Sequence, residues 1–298
     1  MSSISVKVLD AEDSAKVAAF LSEANIEMGR PRPPNEISNL IRTWLEEQKN
    51  EMCPLVAFKN ERAVGIVVLD ERHPSIAYLQ WVHVLREYRR QKVGSSLMEA
   101  ALERVKKKGT PLVSLHTEAD NIAAQGLYTK FGFVSLQPPG NYMVNFQHLP
   151  LLQRFLELNP KAEAKPLGKQ TDFHGRKVLP VSWKDESTGR EMILYFDRGL
   201  AGSSIPLEGA SVNLYLISSG RSPVGFDSRP GASAGSTIHL KLVVENQSSK
   251  EISGLIRIKT PQLLKVHPQR RRFTYKISGK EHTSFVYEVK SPTDLKAT

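Results

Sequence analysis

The sequence predicts two domains of different class, a mixed α/β domain followed by an all-β domain. The chain has 298 residues, and at roughly 100–200 residues per domain this length corresponds to two domains. Helical patterns interleave with strands and hairpins in the first half, whereas apolar residues recur at every second position after Phe146. The net charge also differs between the two halves. Residues 1–150 hold 18 basic and 17 acidic residues, a net +1, and residues 151–298 hold 23 and 14, a net +9.

Composition and cysteine content indicate which broad classes of protein this sequence does not belong to. Hydrophobic residues make up 40% and charged residues 24%, which excludes collagen-like, coiled-coil and wholly disordered chains. The longest uncharged apolar run, Ala63–Leu69, is much shorter than the roughly 20 residues that cross a bilayer, and the acidic N-terminal stretch does not resemble a signal peptide. Cys53 is the single cysteine, so we expect a buried thiol and a reducing compartment. These features predict a cytoplasmic protein without membrane contact.

The elements of the first half follow from apolar periodicity and from turn residues. Strands are predicted at residues 5–10, 54–59, 62–70, 76–85, 111–116, 133–137 and 141–146, and helices at residues 12–25, 36–50, 92–108 and 121–131. Asn60 and Glu61 are suited to a tight turn between two strands. Three lysines followed by Gly109 are typical of a helix C-terminus. The alternation predicts a mixed α/β domain over residues 1–150.

The second half is predicted to be connected through a helix and a linker over residues 151–175. A short apolar helix covers Leu149–Leu158, and the Pro-, Lys- and Ala-rich residues 159–170 have the composition of a linker. Seven alternating strands are predicted at residues 177–183, 192–197, 212–216, 238–244, 256–259, 273–278 and 285–289. Residues 219–235 form a long predicted loop. This pattern favours an immunoglobulin-like β-sandwich over residues 176–298.

A turn between a predicted strand and a predicted helix has the features of an anion site, and we call residues 89–96 the anion turn. The first amides of a helix lack an intrahelical acceptor, and the helix dipole is positive there, which suits a diphosphate. Gly94 allows close approach of the backbone to a ligand. The candidate binding residues are Arg89, Arg90, Gln91, Lys92, Val93, Gly94, Ser95 and Ser96.

A second motif lies at residues 121–133. Helical spacing places Ala124, Leu127, Tyr128 and Phe131 along one side of a helix, and Gly132 ends that helix before a strand begins. Taken alone, this pattern also fits an amphipathic helix with a half-buried tyrosine.

Together the two motifs resemble the GNAT superfamily of N-acetyltransferases over roughly residues 3–148. The family signature at the turn is Arg/Gln-x-x-Gly-x-Gly/Ala, which Arg89 and Gly94 match, whereas Lys92 stands at the first glycine. Residues 121–133 are similar to the family pattern Asn-x-x-Ala-x-x-Leu-Tyr-x-Lys-x-Gly-Phe at every named position. The resemblance implies a GNAT fold, with a mixed sheet in which two central parallel strands splay apart.

The resemblance also implies an activity, namely direct transfer of acetyl from acetyl-CoA to the amine of a small molecule or protein. The pantetheine arm would bind the backbone near Val82 and Val84, and Tyr128 would act as general acid toward the leaving thiolate. Asn121 matches a position that supports the cofactor or the start of the helix.

The general base and the acceptor have no fixed motif, so several candidates stay open. His83 is the first candidate base, and His116 and Glu118 are alternatives. Residues 25–35 join the first two helices, where family members select the acceptor. Glu27 there could attract an amine and Arg30 or Arg32 a carboxylate, unless the segment is only a solvated loop.

A rival interpretation is a non-catalytic CoA-binding module, which Lys92 at a usual glycine position favours. The Gln-Arg-Arg-Arg run at residues 269–272, with Lys265, Lys276 and Lys280, forms a basic cluster. This cluster predicts either a charged strand edge that resists sheet pairing or a surface for an acidic partner. That partner could be a nucleic acid, a glycan or an acidic protein.

The eight scattered histidines show no metal-ligand spacing, so no metal site is predicted. Formation of a homodimer stays open.

Overall fold

The computed structural model divides into two compact units, Met1–Gln153 and Arg154–Thr298. It describes residues 4–48, 52–72, 76–136, 142–173, 176–196, 200–207, 210–217, 237–246, 248–257, 265–267 and 272–290. None of the described helices is long and apolar enough to cross a membrane.

The first unit is built on a seven-stranded mixed sheet with the order β1-β2-β3-β4-β5-β7-β6. Its strands are β1 (Ile4–Val8), β2 (Met52–Lys59), β3 (Arg62–Asp70), β4 (Ile76–Val84), β5 (Leu112–His116), β6 (Phe133–Ser135) and β7 (Tyr142–Asn145). Strands β4 and β5 are parallel, and the other neighbouring pairs are antiparallel. Strands β2 and β3 are buried on both faces, which explains why their sequences are apolar runs rather than alternating ones.

Helices cover both faces of this sheet. They are α1 (Ser14–Glu27), α2 (Pro34–Glu47), α3 (Val93–Lys108) and α4 (Ile122–Lys130). A fifth helix, α5 (Pro150–Leu158), follows β7 in the chain. One core contains Phe20 of α1 and Trp44 of α2, packed with Ile66 and Val68 of β3. A second core on the opposite face contains Leu97 of α3 and Tyr128 of α4.

The parallel strands β4 and β5 separate partway along their length. Their pairing runs from Ile76 and Leu112 to Leu79 and Leu115, whereas β4 continues to Val84 and stays paired with β3. Within the described part of the chain, no strand pairs with the other edge of β4 beyond Leu79. The splay implied by the family resemblance is therefore present, and it leaves backbone groups of β4 available to a ligand.

Strand β4 also contains a bulge at Gln80. Trp81 pairs with Val68 and Leu79 pairs with Leu69, so that Gln80 is an extra residue. Before the bulge, Leu79 packs into the core under α3 and α4, whereas after it Val82 and Val84 do so. Trp81 and Leu85 pack into the core under α1 and α2. The bulge thus reverses the faces of the second half of β4.

The helices and strands predicted for the first half are all present, with ends that differ by a few residues. Asn60 and Glu61 have φ angles of 49° and 62°, as the predicted tight turn requires. Gly109 has φ 76° and ends α3. Strand β6 ends at Ser135, and residues 137–141 lie outside the described part of the chain.

Beyond the end of α5, the described residues of the second unit form only antiparallel β-strands and their connections. Its strands are β8 (Glu163–Pro166), β9 (Thr171–Phe173), β10 (Arg176–Asp185), β11 (Arg190–Phe196), β12 (Leu200–Leu207), β13 (Ala210–Ile217), β14 (Thr237–Asn246), β15 (Ile252–Arg257), β16 (Lys265–His267), β17 (Arg272–Ile277) and β18 (His282–Lys290). One nine-stranded sheet has the order β16-β18-β14-β13-β12-β11-β10-β8, with β9 also paired to β10, and β15 pairs with β17.

Two expectations for this half need correction. The predicted linker contains β8 and β9, because both segments pair with β10. Strand β12 was missed, because its Gly, Ser and Pro content disfavours a strand locally while pairing with β11 and β13 stabilises it. The described strands form one large and one small sheet rather than two similar ones, so the immunoglobulin-like arrangement stays a prediction. The predicted loop at 219–235 lies outside the described residues.

Candidate active site

The anion turn follows the end of β4 and includes the first turn of α3. Lys92 is the N-cap of α3 with φ 67°, and Arg90 has φ 62°. Left-handed backbone of this kind favours glycine, which gives a physical reason for the family's glycine at the position of Lys92. The first helical hydrogen bond is donated by the Ser96 amide to the Lys92 carbonyl, at 3.0 Å. The amides of residues 93–95 therefore have no intrahelical acceptor.

Gly94 brings the first turn of α3 close to two other elements. A Cβ atom at this position would lie 3.2 Å from Cδ2 of Leu127 on α4 and 3.9 Å from Cγ2 of Val84 on β4. The absence of a side chain at Gly94 therefore permits this packing, and the uncommitted amides lie beside the end of β4.

The side chains of the anion turn divide into two groups. Arg89 donates from Nε to the Val84 carbonyl at 3.0 Å, and Gln91 donates to the Glu87 carbonyl at 2.7 Å. Both side chains thus bind backbone carbonyls of the residues that precede the turn. Arg90 and Lys92 are exposed, whereas Ser95 and Ser96 are half-buried. Arg89, although it donates to the Val84 carbonyl, is also exposed, so all three cations of the turn are accessible to solvent.

The backbone of Val82 and Val84 points to the open edge of β4. The Leu85 amide donates to the Val64 carbonyl at 3.1 Å, on the side of β3. Because backbone groups alternate between the two edges of a strand, those of Val82 and Val84 face the opposite edge, where β5 has separated.

Tyr128 lies on α4 in the core beneath α3. Its side chain is 6% exposed, and its ring centroid is 6.0 Å from that of Phe133. Burial raises the pKa of the Tyr128 hydroxyl to about 12, so the hydroxyl keeps its proton at neutral pH and is able to donate it.

Asn121 caps the N-terminus of α4. Its Oδ1 accepts a hydrogen bond from the Ala124 amide at 3.2 Å, which is the normal role of an N-cap side chain. The side chain therefore supports the start of the helix, and its contact with a cofactor stays a prediction.

His83 and Glu27 meet on the face of β4 that is covered by α1. The Nε2 atom of His83 lies 3.3 Å from Oε2 of Glu27, and the imidazole packs edge-on against Phe20. The side chain is 9% exposed. Burial lowers the pKa of His83 and Arg89 lowers it further, while the hydrogen bond and charge of Glu27 oppose these effects. The imidazole is therefore neutral at pH 7.

A second histidine lies at the end of β5, where the strands separate. His116 is exposed, and its Nδ1 lies 3.1 Å from the Tyr78 hydroxyl. Its ring packs against that of Tyr142 at an angle of 41°, with centroids 4.6 Å apart. Partial burial lowers the pKa of His116. Glu118, the third candidate base, is exposed.

The remaining predicted residues have simpler surroundings. Arg30 and Arg32 are exposed on the segment between α1 and α2. Cys53 is buried, and burial raises the pKa of its thiol to about 11, which disfavours a nucleophilic role. Lys276 pairs with Glu251 at 3.1 Å, whereas residues 269–271 of the basic cluster lie outside the described residues. The described ranges hold no group of three His, Cys, Asp or Glu side chains suited to a metal ion.

Sequence reasoning missed Asn145, which holds the C-terminus of α4. Asn145 is 1% exposed, donates to the Phe131 carbonyl at 2.7 Å and accepts from the Gln147 amide at 2.8 Å. A lone asparagine at the end of an apolar strand was the available signal. Next to it, Gly132 has φ 80° and leaves the space that Gln147 occupies.

We expect the protein to lose stability as the pH falls below the ordinary histidine pKa of about 6.5. Burial lowers the pKa of His83, His116 and His148. The unfolded chain therefore binds protons at these groups before the folded chain does. Their contribution is complete above pH 6.5 and is lost as the pH falls through the lowered values.

Urea unfolding at pH 7.5 and at pH 5.0 measures this loss. The variant His83→Gln should show a smaller difference between the two pH values, and replacement of the exposed His282 by Gln is the matched control. An unchanged difference in His83→Gln would show that His83 does not contribute.

Comparison with known proteins supports the assignment of the first unit. Residues 18–133 match the sequence model described as "Acetyltransferase (GNAT) family". The chain is 31% identical over 94 residues to N-alpha-acetyltransferase 30 of Schizosaccharomyces pombe, covering 30% of this chain and 63% of that protein. The protein of the same name from Dictyostelium discoideum is 28% identical over 107 residues, covering 35% of this chain and 57% of that protein. The chain thus spans less than two thirds of the length of these curated relatives.

Among solved structures, the chain is similar to the PaiA N-acetyltransferase of Thermoplasma acidophilum in complex with coenzyme A. The identity is 23% and the TM-score 0.40, and the match covers 48% of this chain and 99% of that chain. The family match extends from within α1 to the start of β6 and includes the anion turn and α4, so the first unit is similar to the GNAT family of acetyltransferases over most of its length.

Proposed function

We propose that this chain is an acetyl-CoA-dependent N-acetyltransferase that moves acetyl directly from the CoA thioester to the amine of a small molecule or protein. The observation that carries the proposal is the separation of β4 from β5 beside the uncommitted amides of α3. This arrangement offers backbone donors to a diphosphate and a strand edge to an extended thiol arm.

The described residues fit acetyl-CoA as co-substrate. The amides of residues 93–95, with the exposed Arg90 and Lys92, suit the diphosphate. The open backbone edge at Val82 and Val84 suits the pantetheine arm. Because Arg89 already donates to the Val84 carbonyl, we assign the role of carbonyl acceptor to Val82.

Two side chains on opposite faces of the sheet suit the two proton transfers. The reaction forms a C–N bond to the acceptor and breaks the C–S bond of the thioester. His83 takes the proton that the amine loses, and Tyr128 supplies a proton to the departing sulfur. Tyr128 lies with α3 and α4, whereas His83 lies with α1, next to the segment expected to select the acceptor.

We propose His83 as base because its orientation is defined. Its Nε2 faces Glu27, which leaves Nδ1 as the lone-pair nitrogen, in the way that a carboxylate orients a catalytic histidine. His116 is the alternative, since the Tyr78 hydroxyl lies against its Nδ1 and Nε2 could accept the proton. Kinetics of His83→Gln and His116→Gln distinguish them, because only replacement of the base removes the acidic limb of the pH profile of kcat/KM.

A turnover assay tests the proposed activity. The purified chain is mixed with acetyl-CoA and a panel of small amines and peptides, and release of the CoA thiol is measured. The proposal is wrong if no amine supports release and Tyr128→Phe behaves identically to the wild type. The names of the two curated relatives favour an α-amine among the acceptors, so peptides with free N-termini belong in the panel.

The rival function, a GNAT-like module without catalysis, makes a different prediction for Lys92. We expect wild-type protein to bind acetyl-CoA and Lys92→Gly to change the Kd less than about threefold. Lys92→Gly should also raise the free energy of unfolding by about 1 kcal/mol, because glycine adopts left-handed backbone without strain.

Calorimetric titration with acetyl-CoA and thermal unfolding measure the two effects. Lys107→Gly, within α3, is the control and should lower stability by about 1 kcal/mol. Weak wild-type binding that Lys92→Gly restores would instead support the rival function.

We retain three proposals that rest on sequence. The net charge of +9 in residues 151–298 favours an acidic partner for the second unit, and its strand pattern favours an immunoglobulin-like arrangement. The single cysteine, Cys53 of the first unit, favours a cytoplasmic location for the chain. Binding to an acidic polymer that weakens with added salt tests the first of these.

A further inference from the structure

Glu27 occupies a position that its own helix does not favour. It is the last residue of α1, where the negative end of the helix dipole disfavours a carboxylate. Its side chain is nevertheless only 16% exposed. Contacts outside the helix must therefore hold the carboxylate in place.

Those contacts come from three sites around the end of β4. Both oxygens of Glu27 accept from the Arg86 amide, at 2.8 and 3.1 Å. Oε2 also accepts from Nη2 of Arg89 at 3.4 Å and lies 3.3 Å from Nε2 of His83. Arg86 begins the short turn directly after β4, and Arg89 is the first residue of the anion turn. One carboxylate thus joins α1, the end of β4 and the anion turn.

Arg89 extends this connection to the proposed thioester site. Its Nε donates to the Val84 carbonyl at 3.0 Å while its Nη2 reaches Glu27. The guanidinium therefore bridges the strand edge and the carboxylate, and removal of the Glu27 charge would release one end of the bridge.

We propose that Glu27 is a positioning residue that fixes the end of β4, the anion turn and the His83 imidazole relative to one another. Its role in turnover rests on the acetyltransferase function proposed above, whereas its contacts do not. Glu27 would then act through His83 and Arg89, rather than by attracting the amine itself, which was one of the two alternatives that the sequence left open.

The charged groups around His83 determine whether its pKa should rise or fall when the Glu27 charge is removed. Glu27 on α1 and Arg89 on the anion turn are the charged groups that act on the imidazole, and Phe20 and Trp81 supply its aromatic neighbours. Glu27 favours the protonated imidazole, whereas burial and Arg89 disfavour it. Loss of the Glu27 charge should therefore lower the pKa of His83 further.

The variant Glu27→Gln tests the proposal, with Glu23→Gln as the matched control. Glu23 lies one turn earlier on α1 and pairs with the exposed Arg62 at 2.7 Å. NMR titration of the His83 ring should show a lower pKa in Glu27→Gln only. The Kd for acetyl-CoA should rise several-fold, and kcat should fall about 10-fold with the KM for the amine nearly unchanged.

The readouts separate this proposal from the proposed function. An unchanged His83 titration together with an unchanged acetyl-CoA Kd in Glu27→Gln would overturn the positioning role, whatever the turnover. A lowered His83 pKa in a protein that turns over no amine would support the positioning contacts and contradict the enzyme. If Glu27→Gln does not fold, Glu27→Asp tests the contacts through the Kd for acetyl-CoA, which should still rise, because the shorter side chain keeps the charge but cannot keep all three contacts.

Discussion

Replacement of Tyr128 by Phe should lower kcat about 100-fold and leave the Kd for acetyl-CoA within about twofold. The change removes the proposed proton donor, while the remaining ring still fills the core beside Phe133. Because burial raises the pKa of Tyr128 to about 12, wild-type Tyr128 is protonated over the whole pH range of an ordinary assay. Steady-state kinetics measures kcat, calorimetry measures the Kd, and thermal unfolding of the same preparation checks that the variant is folded.

Tyr195→Phe removes the same hydroxyl oxygen from a half-buried tyrosine on β11 of the second unit and serves as control. A thiolate with pKa near 8.5 is able to leave without a proton, so the size of the defect should depend on the leaving group. An acetyl thioester of a more acidic thiol should lose less activity in Tyr128→Phe than acetyl-CoA does. Full activity of the variant with acetyl-CoA would show that Tyr128 is not the acid.

Replacement of Gly94 by Val should raise the Kd for acetyl-CoA at least about 100-fold, a loss of roughly 2.7 kcal/mol of binding free energy. A Cβ added at Gly94 would lie 3.2 Å from Cδ2 of Leu127, so the two methyl groups of valine would have to fit into a space that is already filled. The first turn of α3 must move away from α4, which displaces the amides proposed to hold the diphosphate. We also expect the free energy of unfolding to fall by about 1–3 kcal/mol. Calorimetric titration and chemical denaturation measure these effects.

The control is the same substitution at Gly126 on α4, where an added Cβ meets no atom within 4 Å. Gly126→Val should bind acetyl-CoA as the wild type does, since no contact with α3 is disturbed. Normal binding by a folded Gly94→Val would show that the diphosphate is held elsewhere.

Much of the first unit could be predicted because its signals are local. Apolar periodicity located the helices, and Gly109 with φ 76° ended α3 as its position after three lysines predicted. In the motif at residues 121–133, Asn121 caps α4 and Gly132 adopts φ 80°. Each of these residues begins or ends a helix through backbone within a few positions of itself, so the sequence alone was sufficient to predict where the helices end.

Prediction failed where pairing with distant segments decided the structure. Strands β8 and β9 were taken for linker, since these segments of four and three residues show no strand pattern by themselves and become strands only through pairing with β10. Similarly, no local pattern indicates the bulge at Gln80, which is visible only in the pairing of β4 with β3.

By itself, the sequence determined the class of each half, the anion turn and the helix that carries Tyr128. Only the tertiary structure decided which side chains share a site with them. The bulge at Gln80 turns His83 toward α1, and the end of α1 brings Glu27 to it across 56 positions of the chain. Local patterns record backbone preference and burial, whereas contacts between distant elements depend on strand register and helix packing, which no short segment contains.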